Sequence, residues 1–127
     1  MLQFFQEGGW GMFPVTAFGV VMVIAAARFA YDGELLRLRF ITAMGVVLSA
    51  AMIHAMLIDL AAVFAYVQDP ANVTDDALPR IVLTGLMEST RPGALGGALL
   101  VLALVLVTVG VSRSTARELR ARAAAPA

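Results

Sequence analysis

Three long apolar runs, separated by short polar segments, dominate the chain. The first covers about residues 13–30, the second 40–67 and the third 92–112. A helix rises about 1.5 Å per residue, so roughly 20 apolar residues cross a hydrocarbon core ~30 Å thick. Each run therefore predicts a transmembrane helix. The expected fold class is an all-α integral membrane protein with three spans and a single membrane domain over residues 1–127.

The polar positions between the runs predict the connections. Gly8, Gly9 and Gly11 loosen the chain ahead of Pro14, which suits a first helical turn because its missing N–H has no partner there. Trp10 with Phe4, Phe5 and Phe13 fits an interfacial aromatic belt. The residues before the first run include Glu7 and no base, so it is read as a retained helix rather than a secretory signal. A polar bridge, Arg28 to Arg39, leads to the second helix. An acidic, turn-rich loop over 68–79 follows, with Pro70 and Pro79. Thr74 or Asp75 is expected to cap a helix starting near Asp76. That helix should run on through Pro92, which bends a membrane helix when neighbours satisfy the freed carbonyl. The tail, 113–127, predicts one or two basic helical turns and a frayed alanine end.

Composition agrees with this pattern. The chain is 61% hydrophobic, against about 45–50% in soluble domains, and its mean hydropathy is +0.88. Net charge is zero, and no basic stripe with interleaved aromatics points to nucleic acid. With no cysteine and one histidine, a metal site within one chain is not expected, and nothing calls for a cofactor. No nucleophile–base pair, phosphate loop or paired catalytic carboxylates mark an enzyme. The basic residues, all arginine, set the orientation. Arg28, Arg37 and Arg39 lie in the bridge and Arg113, Arg117, Arg120 and Arg122 in the tail, while Arg80 and Arg91 face Asp69, Asp75, Asp76 and Glu88. The positive-inside rule then puts bridge and tail in the cytoplasm and the N-terminus outside.

The second run carries the candidate chemistry. Ionisable groups at membrane depth cost a few kcal/mol each and turn toward protein or water. Asp59 is the sharpest candidate for exchanging protons; the alternative is a carboxylate that accepts hydrogen bonds from a neighbouring helix or subunit. His54 sits about 140° around the helix from Asp59, so the two do not share a face. It serves either a relay or packing. Glu88 and Arg91, three apart, can pair at the outer interface. Ser49 and Thr42 lie nearly on one face among Ala43, Gly45, Ala50 and Ala51, which suits close helix contact. Gly85, Gly93, Gly96, Gly97 and Gly110 suggest the same for the last helix, and Met52 and Met56 fill core.

Two segments carry a resemblance. Gly8-Gly9-Trp10-Gly11-Met12-Phe13-Pro14, running into an apolar helix that ends in Ala-Arg-Phe, resembles the opening of the MotA/TolQ/ExbB proton-channel family. Gly85-Leu86-Met87-Glu88-Ser89, with Gly96 further on, resembles the family's entry to its last helix. The resemblance implies a bacterial inner-membrane homo-oligomer, expected as a pentamer, around one or more single-span partner helices. It places Glu88 beside a pore, with Asp59, His54 and Ser49 as further candidates for the proton path. The sequence also departs from the family pattern. The pore threonine expected five residues after the glutamate is Gly93, the Gly-Thr-Val motif has no clean place on 40–67, and the large cytoplasmic region shrinks to the bridge. The alternative reading is a non-conducting scaffold or accessory subunit held together by its glycine-rich faces. A small transporter would call for inverted repeats or broken helices, which three unequal spans do not suggest.

Overall fold

The computed structural model describes residues 9–69, 71–74 and 76–124. They form four helices: α1 (Met12–Asp32), α2 (Leu35–Gln68), α3 (Leu78–Ser89) and α4 (Arg91–Ala123). No strand occurs among the described residues. α1, α2 and the joined α3–α4 segment are each long and apolar enough to cross a membrane. Phe4, Phe5, Glu7 and Gly8 lie outside the described residues, as do Pro70, Asp75 and residues 125–127.

The helices outrun the apolar stretches that announce them. Most of the polar bridge is helical, leaving a turn at Gly33–Glu34, and the basic tail continues α4 to Ala123. The last span is interrupted at Thr90 rather than only bent. Pro92 has no N–H to give to the carbonyl one turn back. Thr90 instead turns its N–H and its hydroxyl to the Met87 carbonyl, at 3.3 and 2.8 Å. Glu88 and Arg91 consequently belong to different helices. At the start of α3 no side chain caps the helix; the Thr74 carbonyl, not its hydroxyl, takes the N–H groups of Ala77 and Leu78.

α1 is the centre of the packing. It buries Met12, Val15, Gly19, Met22, Ala26 and Phe29, alternating steps of three and four residues. α2 answers with Ile41, Leu48 and Ala55, and α4 with Gly96, Ala103 and Gly110, each seven residues apart. This spacing is that of shallow, knobs-into-holes crossings. Lipid tails are as apolar as leucine, so burial alone drives little here; close approach and dispersion must hold the helices together. Gly110 supplies that approach against the Phe29 ring and the Ala30 backbone, and Gly96 against Met52 and Val15.

Only part of the packing face expected from the small residues of α2 forms: Ala51 packs against the core. Ala43 and Ala50 point outward, while Ile41, Leu48 and Ala55 turn inward. Gly45 makes only ordinary contact, since an added Cβ would stand 3.8 Å from Leu100 and Met22. Gly93 packs against the flexible Met56 thioether, whereas a Cβ added at Gly97 would meet nothing within 4 Å among the described residues.

One end of the bundle gathers the arginines. Gly33 ends α1 at φ 73°, and its N–H donates to the Phe29 carbonyl at 2.8 Å. Arg113 donates to the Ala30 carbonyl at 3.3 Å, and Arg117 reaches the Asp32 and Tyr31 carbonyls at 3.5 Å. Arginines of α4 therefore cover the negative end of α1. Arg37 closes the turn by pairing with Asp32 and Glu34, both at 3.0 Å. Arg113→Gln combined with Arg117→Gln should loosen only this end, by about 0.5–1 kcal/mol. Hydrogen exchange at the Phe29–Asp32 amides is expected to speed up severalfold while exchange at Val15–Met22 stays unchanged.

Candidate functional site

The opposite end holds Asp59 and Glu88. Gly11 lies against Ala55, so α2 continues for several turns beyond the start of α1. α3 folds back along that continuation, with Gly85 set against Val63 because a Cβ there would overlap the valine. On α2 the helical repeat puts Asp59, Ala62, Val63 and Tyr66 on the side facing α3. On α3 it presents Arg80, Thr84 and Glu88, one turn apart. Between them lies an open cleft of about 700 Å³, with Gly9 and Ser89 at its edge.

Asp59 and Glu88 thus line one cavity although a loop separates them in sequence. Asp59 Oδ2 is buried and has no hydrogen-bond partner among the described residues. Its other oxygen is close to Gly9, where an added Cβ would stand 3.1 Å from Oδ1 at a φ of +63°. A side chain at Gly9 would therefore be strained and would crowd the carboxylate. The hydroxyls on α3 do not answer Asp59. Thr84 donates to the Arg80 carbonyl at 2.9 Å and Ser89 to the Gly85 carbonyl at 2.8 Å. A buried carboxylate oxygen without a donor is costly. Asp59 Oδ2 calls for a donor: a proton of its own, a small cation or a group brought by a partner.

The remaining candidates stand elsewhere. His54 is exposed on the outer surface of α2, on a different face from Asp59, as the helical spacing requires. Ser49 donates to the Gly45 carbonyl at 2.9 Å and lines a groove between α2 and α4. Neither reaches the cleft. Tyr66, Arg80 and Thr84 complete it and were not singled out from sequence; their signal was the four-residue spacing that places Arg80 and Thr84 on the Glu88 face. No group of three or more metal-binding side chains occurs among the described residues. Trp10 and Phe13 sit at this end with ring centroids 6.0 Å apart, both exposed.

The fold and site describe an all-helical chain with three helices apolar enough to cross a membrane and an acidic cleft at one end. Compared with protein-family models, curated proteins and solved structures, the chain matches none.

Proposed function

We propose that the chain is a subunit of an oligomeric membrane complex in which Asp59 and Glu88 pass protons, or another small cation, through the α2–α3 cleft. The observation that carries this reading is the buried, unpartnered Asp59 Oδ2 in a cavity shared with Glu88. The flow would do work on a partner, as the resemblance to the MotA/TolQ/ExbB proton channels implies. In this reading the arginine-rich end faces the cytoplasm, the acidic end faces outward, and the membrane is a bacterial inner membrane. Exposed apolar residues on α2 and α3, among them Leu57, Ile58, Leu83 and Met87, offer area for neighbouring subunits.

A second reading, a non-conducting scaffold, draws on His54. An imidazole exposed midway along an apolar helix needs a hydrogen-bond partner from outside this chain. The two readings separate on the mass of the complex taken from native membranes in mild detergent. A five-fold assembly carrying a single-span protein is the expected result. A monomer or dimer without a companion would sink the channel reading and leave the scaffold.

A further inference from the structure

A groove on the exposed side of α2 and α4 plays no part in the acidic cleft. Leu38, Gly45 and Ser49 of α2 and Leu100, Leu104 and Val107 of α4 are among its walls, which enclose about 370 Å³. A second hollow of about 530 Å³ shares Leu38, Thr42 and Val46 with it and reaches Arg39. Together they form one track that begins at a guanidinium and continues between two helices. Its wall offers no polar donors, because Thr42 and Ser49 spend their hydroxyl protons on the Leu38 and Gly45 carbonyls, both at 2.9 Å.

Arg39 differs from the three arginines of this end that are held by the protein itself. Arg37 is held by Asp32 and Glu34, and Arg113 and Arg117 lie on the carbonyls of α1. Arg39 is exposed and has neither an ion pair nor a hydrogen bond among the described residues. It shares a helical face with Thr42 and Val46, three and seven residues on. From Arg39 to Ser49 the helix rises about 15 Å. That is about half of a ~30 Å hydrocarbon core, the depth of one leaflet. A free cation at the polar end of an apolar track one leaflet deep complements an anionic headgroup with its tail.

We propose that this groove seats one acyl chain of an anionic phospholipid, with its phosphate on Arg39. The proposal is independent of the cleft and of ion flow. Its test is native mass spectrometry of the full chain in nonionic detergent, with dioleoyl phosphatidylglycerol or dioleoyl phosphatidylcholine added at equal concentration. One phosphatidylglycerol should stay bound about fivefold more than phosphatidylcholine, the factor that the ~1 kcal/mol of one interfacial arginine gives. Arg39→Gln should erase that preference, and Arg120→Gln, in the exposed tail, should keep it. Val46 is 66% exposed, so Val46→Trp fills the groove without entering the core and should reduce retention of both lipids. Circular dichroism confirms that each variant keeps its helices. Equal retention of the two lipids, or parental retention by Arg39→Gln, would overturn the proposal. A two-chain species broken by Val46→Trp would assign the groove to a second copy instead.

Discussion

Gly110→Leu should dismantle the bundle. A Cβ at that position would stand 2.6 and 2.7 Å from two ring atoms of Phe29 and 3.1 Å from the Ala30 Cα. Phe29 is fully buried and cannot swing aside, and the Ala30 backbone belongs to the last turn of α1. Overpacking a tight core costs about 1–3 kcal/mol per added group that cannot be accommodated, and leucine adds several atoms. In lipid little hydrophobic gain offsets the lost contact between α1 and α4. The variant is expected to melt at least 10 °C lower in detergent, or to aggregate (a ~2 kcal/mol loss moves a domain of this size by about that much). Gly97→Leu is the matched control, because nothing stands within 4 Å of an added Cβ there. If both glycines tolerate leucine equally, the seam through Gly96, Ala103 and Gly110 does not hold the fold.

Asp59→Asn should reduce proton flux about tenfold or more in liposomes, the effect of raising a barrier by ~1.4 kcal/mol. Asparagine keeps the shape and can accept a hydrogen bond but carries no proton on and off. The helix packing nearby, Gly11 on Ala55 and Gly85 on Val63, does not involve the carboxylate, so assembly should survive. Asp59→Leu probes the competing role. Should leucine destroy the oligomer while asparagine preserves both oligomer and flux, the carboxylate position serves an interface, not a pathway. Glu88→Gln is expected to lower flux in the same direction, since Glu88 lines the same cleft.

How far the sequence alone reaches depends on which residues carry the information. Hydropathy located three spans, because a membrane helix must be apolar along its whole length. The same property hid the packing faces. A helix apolar all round has no polar side to name the opposite one, so Ala43 and Ala50 looked as suitable as Ile41 and Leu48. The seven-residue repeat of small residues on α4 was the stronger sign, and Gly97 lies just off it. Asp59 was visible as a charge inside an apolar run, and Glu88 as a charge at the outer interface. Their meeting was not, because it needs α3 to end at Thr90 and lie back along α2, a consequence of Pro92 and of the Gly85–Val63 contact. His54 and Asp59 were separable from helical geometry alone.

The central claim is that Asp59 and Glu88 act as one site, and a double-substitution flux assay tests it most directly. Purified protein in liposomes would be driven by a fixed pH gradient, comparing the parent, Asp59→Asn, Glu88→Gln and the double variant. Groups that work as a unit lose their function once, so the double should conduct no less than the weaker single variant. Losses that multiply would mean two independent sites. A parent chain with no flux above empty liposomes, with or without its native partners, would contradict the account outright.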